Sequence, residues 1–510
     1  MKGTEAALLE DREPVAIGLL GAAAVGLRLH DLTGESLIND EFHTIHDLRT
    51  FSTAILEQTG HGRPLYYAFM KAWTAVAGYS EVSLRLPSVL FGVGTVLAIY
   101  ALGRELADRR VGLGAASLIA MAPFFVTHAQ QARMYALLPM LTALSTLALV
   151  RLLRGGVDRR RAAAYVAVTG LLGLTHVYGL LVIAGHTVYL AVARAVGVDL
   201  RFEGRLRDWI GLQATLALTL APVLLAILYT LTVGDGGGAD GVLPWNEPPG
   251  AYRLVLAIVR PIHFTRDVGS VLLVGVGVLA VLGVGVARAP RDAAIVLPLT
   301  LAVWSIAVAF VLSHLVTPIF LTRYLSGVGA LLVVALVAAV DTIETPELEV
   351  AVVILVVLAV LSPLPAYYAE TDKQQWRQGA AMLEDAADGD DRVLAAPPHT
   401  ARNVRYYYDG PAEVRPLDVY AEERTVRSMG RSDGTLWLVA FESLRRTQQL
   451  REVSTVLARD RTVVAPGSGD DAAPGLSEGA VRPYRTFIGF DVYRFDPPDG
   501  RAPSGNGSSP

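Results

Sequence analysis

Residues 269–288 read GSVLLVGVGVLAVLGVGVAR, an apolar run without a charged residue before its last position. An α-helix rises about 1.5 Å per residue, so this run is long enough to cross a hydrocarbon core of roughly 30 Å. Comparable runs recur from about residue 14 to residue 366, and none follows residue 367. The sequence therefore predicts a polytopic α-helical membrane domain, 1–366, followed by a smaller soluble domain.

The apolar runs predict eleven membrane-spanning helices. They are 15–29, 84–103, 111–127, 134–151, 162–176, 178–197, 209–233, 269–288, 293–315, 324–341 and 349–366. The segment 162–197 is compatible with two short spans or with one long bent span. The first outer loop, 31–83, contains two amphipathic segments, Glu41–Leu56 and Leu65–Val76, which predict helices lying at the membrane surface.

Arginine is concentrated in alternate loops. These loops are 104–110, 151–161, 194–207 and 288–291. Short loops rich in arginine usually stay on the cytoplasmic side of a membrane, so we assign these four loops to that side. With an odd number of spans, the first outer loop and the soluble domain then share the opposite side. We therefore expect a multi-pass protein of the cell (plasma) membrane with an extracytoplasmic C-terminal domain.

The C-terminal part alternates between the patterns of strands and helices. Arg392–Ala396, Leu436–Phe441 and Thr486–Phe495 predict strands, whereas Lys373–Asp385, Thr400–Tyr408 and Ser443–Arg459 predict helices. This alternation predicts a small α/β domain over 367–495. The Pro/Gly/Ser-rich tail, 496–510, has a composition typical of disorder.

Composition excludes several functional classes. The net charge of −4 gives no basic field for nucleic acid, so none is expected as a partner. The chain has no cysteine, which rules out disulfides, thiolate metal ligands and a cysteine nucleophile.

Asp40 and Glu41 directly follow the first span and are the candidate catalytic residues. A carboxylate there can deprotonate or orient an acceptor nucleophile, or hold a divalent cation on a donor phosphate. His43 and His46 lie one turn apart, so Asp40, Glu41 and His43 are also candidate ligands of a divalent metal cation. The alternative is that Asp40 caps a helix and that the histidines lie on its surface.

A second polar group follows in the same loop, and further cations occur at the outer ends of later spans. The candidates for binding a donor and its phosphate are His61, Arg63, Tyr66, Arg133, Tyr135, His176, Arg323 and Tyr324. Arginine binds phosphate bidentately, and tyrosine stacks on sugar faces. The alternative is that the arginines and tyrosines contact lipid headgroups.

The order of these motifs resembles a known family. Asp40-Glu41 is followed by His61-Gly-Arg63-Pro-Leu-Tyr-Tyr and Leu84-Arg-Leu-Pro-Ser. Gln131-Ala-Arg-Met-Tyr135, Thr175-His176, Arg323-Tyr324, Gln375-Trp-Arg377 and Tyr406-Tyr-Tyr-Asp-Gly410 come after them. Over about residues 10–410 the chain is similar to GT-C membrane glycosyltransferases of the family 39 type, which include protein O-mannosyltransferases and lipid A aminoarabinose transferases.

The resemblance implies a GT-C fold and a polyprenyl-phosphate-linked sugar donor, with inversion at the anomeric carbon on the extracytoplasmic face. Asp40 matches the family's catalytic acid and Glu41 its neighbour, while His61 and Arg63 match donor-contacting positions. The chain has Arg63-Pro64 where the family often has two prolines, which leaves the role of Arg63 open. The acceptor, whether lipid, glycan or protein, and the dependence on a metal are also left open.

Two non-enzymatic functions are alternatives. A transporter should carry ionisable or broken-helix features at mid-bilayer, whereas the charges here gather at span ends. A catalytically inactive assembly subunit of a cell-surface glycan pathway would not need the Asp40-Glu41 pair. The loop Gly234–Val268 fits either a flexible flap over a site or a plain connector.

Overall fold

The protein is described by a computed structural model over residues 13–199, 206–233, 247–370, 373–445, 447–464 and 481–497. The chain forms two compact units. The first, which we call the membrane unit, comprises Met1–Leu32 and Thr44–Glu370, and the second, the C-terminal unit, comprises Thr33–His43 and Thr371–Pro510. A short segment of the first outer loop therefore belongs with the C-terminal part of the chain.

The membrane unit is entirely helical where it is described. Its long helices are α1 (Glu13–Leu29), α2 (Asn39–Arg49, which begins in the C-terminal unit), α3 (Phe51–Gly60), α4 (Pro64–Ala77), α5 (Glu81–Leu106), α6 (Arg109–Met121), α7 (Pro123–Ala129), α8 (Leu137–Gly155), α9 (Arg159–Thr175), α10 (Val177–Val196), α11 (Leu206–Thr232), α12 (Ala251–Val259), α13 (Val268–Arg288), α14 (Ala293–Leu315), α15 (Ser326–Asp341), α16 (Pro346–Leu361) and α17 (Leu364–Ala369). A 3₁₀ turn at Thr322–Leu325 precedes α15.

Within the described ranges, eight helices are long and apolar enough to cross a membrane, or nine if the bent pair α6–α7 is one span. The other two predicted spans correspond to α1 and α9, each of 17 residues. Each predicted span thus has a helical counterpart. The segment 162–197 consists of two helices, α9 and α10, rather than one long bent helix.

A buried arginine stabilises the break between α6 and α7, which are bent by 62°. Pro123 has no N–H, so the carbonyl of Ile119 loses its helical partner. The Arg28 guanidinium, 0% exposed, donates to Ile119 O at 3.2 Å and to Ala120 O at 3.0 Å. Arg28 therefore replaces the hydrogen bonds that the proline removes.

Two of the arginine-rich loops meet at one end of the membrane unit. Arg104 forms an ion pair with Glu13 at 2.9 Å, and Glu105 lies 3.5 Å from Arg151 and 3.3 Å from Arg154. Loops 104–110 and 151–161 therefore share an end, as predicted. That this end is cytoplasmic stays a prediction.

The amphipathic segments of the first outer loop differ in part from the prediction. The predicted helix Glu41–Leu56 is two helices, α2 and α3, separated at Thr50. Phe42 near its beginning is buried, whereas Leu56 at its end is 74% exposed, so the segment does not bury one continuous apolar face. Helix α4 matches the prediction in extent, but Tyr66, Tyr67 and Met70 form its buried face, while Val76 is 91% exposed.

The predicted flap Gly234–Val268 is helical in part. Its glycine-rich beginning, 234–246, lies outside the described residues. Ala251–Val259 forms α12, which packs against α13. This half of the loop is an ordered element of the membrane unit, and not a loose connector.

The C-terminal unit is an α/β domain with a six-stranded mixed sheet. Its elements are α18 (Trp376–Ala386), β1 (Arg392–Ala396), α19 (Thr400–Tyr407), β2 (Glu413–Pro416), α20 (Glu423–Met429), β3 (Leu436–Phe441), α21 (Gln448–Ala458), β4 (Thr462–Val464), β5 (Arg485–Phe487) and β6 (Phe490–Asp496). The strand order is β2-β1-β3-β6-β4, with β5 paired to β6. Strand β1 runs parallel to β2 and β3, and β6 runs antiparallel to its neighbours.

Helices cover the sheet and exclude water from it. Leu394 and Leu438 pack with Leu450 and Val453 of α21 in one apolar core. Trp376 of α18 stacks on Phe490 with ring centroids 4.3 Å apart. The strands Arg392–Ala396 and Leu436–Phe441 have the predicted bounds, whereas the predicted strand Thr486–Phe495 is a hairpin of β5 and β6.

Candidate active site

Side chains from four parts of the membrane unit meet at one site. They come from α2 to α4, from the connection between α7 and α8, from the start of α10 and from the 3₁₀ turn before α15. The predicted donor-binding residues among them are His61, Arg63, Tyr66, Arg133, Tyr135, His176, Arg323 and Tyr324. Residues far apart in the sequence are therefore close together in this unit.

Arg133 is held from two sides. Its Nη1 donates to the Thr44 hydroxyl at 3.2 Å and to the Tyr67 hydroxyl at 3.1 Å. The side chain is 6% exposed, and its backbone carbonyl accepts from Ser88 Oγ at 3.2 Å. Because hydrogen bonds fix both ends of the residue, the guanidinium has little freedom to leave the site.

The rings of Tyr135 and Tyr324 stack on each other, and a second arginine, Arg323, lies near both of them. Their ring centroids are 5.7 Å apart with planes at 30°. The Arg323 guanidinium carbon lies 5.6 Å from the centroid of each ring, and that of Arg133 lies 5.7 Å from Tyr135. Aromatic faces attract cations, so the tyrosines stabilise two guanidiniums that would otherwise repel each other.

His176 lies among these groups as a neutral imidazole. It caps the first turn of α10, where the Tyr178 N–H donates to its Nδ1 at 3.2 Å. This bond assigns the proton to Nε2, which is then a donor. Burial, followed by the charges of Arg63, Arg133 and Arg323, keeps the pKa of His176 well below its ordinary value. The charges of all three arginines therefore act on the ring.

Gly62 allows the loop with Arg63 to approach His176. Its φ of +71° lies in the left-handed region, and a Cβ there would come within 3.3 Å of the Val177 backbone nitrogen. Arg63 follows as the N-cap residue of α4, and its N–H donates to Gln58 O at 2.7 Å. The close contact between this loop and the start of α10 brings the third arginine to the site.

His61 and Tyr66 lie at the edges of this group. Burial and the charge of Arg63 lower the pKa of His61 to about 4. Its Nδ1 lies 4.0 Å from a Glu57 oxygen, but an ion pair requires a protonated ring, so we regard His61 as neutral. Tyr66 is fully buried and packs edge-to-face against Tyr67 at 5.7 Å.

Asp40, Glu41 and His43 lie at the start of α2, in the C-terminal unit. Glu41 is 0% exposed and accepts from the Ile38 N–H at 3.0 Å, the arrangement of a capping-box glutamate. Asp40 is half-buried. The hydrogen bond of Glu41 therefore stabilises the start of α2, where Asp40 and His43 lie.

The candidate metal ligands do not form a cluster in the described part of the chain. No group of three or more His, Cys, Asp or Glu side chains there could hold a metal ion. Asp40, Glu41 and His43 thus do not supply a three-ligand set, and no step of the proposed mechanism uses a metal.

Several neighbours of Arg133 and Arg323 are not among the site residues predicted from the sequence. Thr44 and Tyr67 hold Arg133, and the His128 ring lies 5.5 Å from Tyr135. Arg260, just after α12, donates to the Thr322 hydroxyl at 3.2 Å. Arg260 was detectable in principle, since an arginine directly follows an amphipathic stretch within the predicted flap. Thr44 gives no signal in the sequence.

The comparisons with known proteins agree with this architecture. A family model described as dolichyl-phosphate-mannose-protein mannosyltransferase matches residues 61–225, which is less than half of the chain. No curated protein sequence matches significantly.

Solved structures share the fold over most of the chain. ArnT from Cupriavidus metallidurans in the apo state has a TM-score of 0.55 at 12% identity, covering 94% of this chain and 97% of its own. ArnT bound to undecaprenyl phosphate gives a TM-score of 0.54 with the same coverage. Archaeal oligosaccharyltransferase AglB from Archaeoglobus fulgidus, in complex with an inhibitory peptide and a dolichol-phosphate, gives 0.50 at 13% identity, covering 88% of this chain and 70% of its own.

The helical membrane unit, the C-terminal α/β unit and these matches together identify the fold of this membrane protein as the GT-C type.

Proposed function

We propose that the protein is an integral-membrane glycosyltransferase that moves a sugar from a polyprenyl-phosphate donor to an acceptor on the extracytoplasmic face of the plasma membrane. The observation that carries this proposal is the pair of guanidiniums of Arg133 and Arg323 at the stacked rings of Tyr135 and Tyr324, with the His176 ring 4.6 Å from Tyr324. Arg133 is buried and Arg323 half-buried, and such a set of cations suits an anionic ligand.

The donor phosphate is the anion that these arginines bind. Guanidinium groups offer planar pairs of N–H donors that match phosphate oxygens, and such charge-assisted bonds are about twice as strong as neutral ones. Neutral His176 adds an Nε2–H donor without a further charge. ArnT was solved bound to undecaprenyl phosphate and AglB in complex with a dolichol-phosphate, which supports the same class of donor here.

Asp40 takes part in the chemical step. The acceptor oxygen attacks the anomeric carbon, the bond from that carbon to the phosphate oxygen breaks, and the electron pair leaves with the lipid phosphate. Asp40 orients the acceptor hydroxyl and takes its proton, and general-base catalysis of this type contributes about 10²–10⁴-fold. The arginines stabilise the negative charge that develops on the leaving phosphate.

Glu41 has an indirect role in this proposal, since it stabilises the start of the helix that carries Asp40. Its carboxylate caps the first turn of α2, so it positions the helix rather than reacting itself. Tyr135 and Tyr324 hold the Arg323 guanidinium, and His61 and Tyr66 complete the donor side of the site.

The test uses membranes that contain the full-length protein, incubated with radiolabelled polyprenyl-phosphate sugars and total host acceptors. Wild-type membranes should transfer label to an acceptor, and Asp40→Asn should lower the rate at least about 100-fold, because the amide cannot accept the proton. Asp31→Asn, a change to an exposed aspartate in the same loop, is the matched control and should retain wild-type activity.

Expression and the thermal midpoint of both variants must equal those of the wild type. Full transfer by Asp40→Asn would refute the assignment of the base. Absence of transfer from every donor by folded wild-type protein would refute the glycosyltransferase itself and favour an assembly subunit.

A further inference from the structure

A second group of polar side chains lies within the C-terminal unit, at the carboxyl end of β1. His399, Thr400 and Asn403 follow this strand at the beginning of α19. In sheets with parallel strands, ligands bind in the crevice beyond the carboxyl ends of those strands. Strand β1 is parallel to both of its neighbours, so these residues occupy such an end.

The start of α19 lies against the start of α2. Asn403 Nδ2 donates to Asn39 Oδ1 at 3.1 Å, and the rings of His43 and His399 are 5.6 Å apart. Asn39 and His43 are four residues apart on one face of α2, so two contacts join the same faces of the two helices. Asp40 directly follows Asn39 on α2 and lies about one turn before His43.

Three atoms of this group are buried and have no hydrogen-bond partner among the described residues. They are His399 Nε2, Thr400 Oγ1 and Asn403 Oδ1. Thr400 and Asn403 are both 0% exposed. Buried polar groups in native proteins are nearly always hydrogen-bonded, so these three atoms, within five consecutive residues, offer hydrogen bonds to a polar ligand or to ordered water.

The chemistry of the three groups defines what they can bind. Burial and the charge of Arg402 lower the pKa of His399, so its ring is neutral and offers one donor and one acceptor. The threonine hydroxyl both donates and accepts, and the amide oxygen accepts. A set of neutral donors and acceptors suits hydroxyl groups, which also both donate and accept.

We propose that His399, Thr400 and Asn403 form a subsite for the hydroxyl groups of a saccharide acceptor. This inference rests on the proposed function and names its acceptor class. Hydroxyls bound at this subsite hold the acceptor sugar beside the first turn of α2, and a further hydroxyl is the nucleophile that Asp40 deprotonates. The C-terminal unit thus supplies acceptor recognition, in addition to the segment that carries the base.

The test measures binding and turnover separately in the full-length protein reconstituted in lipid nanodiscs. Thr400→Val removes one hydroxyl while keeping the shape of the side chain. We expect it to raise the KM for a saccharide acceptor about tenfold, equivalent to about 1.4 kcal/mol, while the KM for the donor stays unchanged. Thr455→Val on α21, where the hydroxyl is exposed and bonds its own helix, is the matched control and should have no effect.

Direct binding uses methyl glycosides of mannose and arabinose as probes, followed by saturation-transfer NMR. The wild type should give a signal that Thr400→Val weakens. His399→Gln, which keeps a donor and an acceptor, should retain more of it than His399→Leu. Because this readout needs no donor, a wild type that binds methyl glycosides but transfers no sugar would contradict the proposed transfer and leave the subsite intact.

Three outcomes would overturn the subsite. The first is an unchanged acceptor KM in folded Thr400→Val protein. The second is competition by a serine-containing peptide and not by methyl glycosides, which would assign the site to a polypeptide. The third is a lowered thermal midpoint with unchanged glycoside binding, which would show that the three atoms hold only an ordered water.

Discussion

Arg133 is the most firmly held arginine of the proposed donor site. Thr44 and Tyr67 fix its Nη1, and aromatic rings flank its guanidinium. A lysine keeps the charge but cannot make a bidentate bond to phosphate, and it cannot reproduce both hydrogen bonds in the plane of a guanidinium.

We therefore expect Arg133→Lys to raise the donor KM by about 10- to 100-fold, since hydrogen bonds to charged groups are worth roughly 1.5–3 kcal/mol. The measurement is the rate of sugar transfer as a function of donor concentration. Arg49→Lys is the control, because Arg49 is exposed and its guanidinium carbon lies 5.4 Å from the Tyr79 ring centroid. A donor KM that is unchanged in Arg133→Lys would exclude Arg133 from the phosphate site.

At the residue scale, the sequence predicted which side chains meet but not what holds them. Arg133, His176 and Arg323 were recognisable because charged groups are rare within apolar surroundings and so stand out in the chain. Thr44 and Tyr67 are ordinary residues of amphipathic helices. Their role depends on the packing of α2 and α4 against the connection between α7 and α8, which no local pattern encodes.

At the scale of elements, the loop between α3 and α4 decides where Arg63 lies. Gly62 has a left-handed backbone conformation and touches the backbone of Val177. Gly78, at the other end of α4, has a similar φ of +75° but nothing within 4 Å of a Cβ. Substitutions at the two glycines can therefore distinguish the effect of backbone strain, which both would suffer, from that of steric contact, which only Gly62 would suffer.

We expect both Gly62→Ala and Gly78→Ala to lower stability by about 1 kcal/mol through strain at positive φ. Only Gly62→Ala also pushes the loop away from α10, so it alone should weaken donor binding. Thermal midpoints and donor KM values of the two variants measure this difference. Equal donor KM values would show that Arg63 does not depend on this contact.

The bounds of elements were predictable where one strong period dominates, as in β1 and β3, whose strands have the predicted extents. The division of Glu41–Leu56 at Thr50 was not, because both halves continue the same apolar period. The bend at Pro123 was visible as a proline, but its partner Arg28 comes from a helix almost a hundred residues earlier. The replacement of these hydrogen bonds by Arg28 depends on tertiary packing, which a local sequence pattern does not encode.

At the scale of the whole molecule, the C-terminal unit contains the segment Thr33–His43. The Leu37 N–H donates to the Tyr407 hydroxyl at 2.8 Å, and the Asn39 N–H donates to Gln374 Oε1 at 2.7 Å. Phe42 packs edge-to-face against Trp376 at 6.3 Å and Tyr407 at 6.2 Å. Asp40 is thus positioned by residues more than 300 positions later in the chain.

Tyr407→Phe should lower kcat for transfer several-fold while donor binding stays normal, because the buried Leu37 N–H loses its acceptor at a cost of about 1–3 kcal/mol. Tyr420→Phe is the control, since Tyr420 is 78% exposed. Transfer kinetics and donor binding, measured on the same nanodisc samples, give both quantities. An unchanged kcat would mean that Asp40 keeps its place without this bond.

The general organisation of the molecule, a helical membrane part followed by an α/β part, followed from apolar run length and composition. The membership of Thr33–His43 in the C-terminal unit could not be predicted in this way, because eleven residues of mixed character in a loop do not identify their packing partners. The resemblance to GT-C enzymes implied a catalytic first loop, but it did not indicate that the segment Thr33–His43 of that loop would belong to the C-terminal unit.

The membership of Thr33–His43 in the C-terminal unit has a consequence for biogenesis. The ribosome makes this segment more than 300 residues before Trp376 and Tyr407, which pack against it. At about 5–20 residues per second, the segment waits on the order of tens of seconds for its partners. A chain that ends before these residues can insert its first helices, yet it lacks the surface that holds the segment with Asp40. On the proposed function, a molecule therefore stays inactive until these residues have been made, and shorter copies do not consume the lipid-linked sugar.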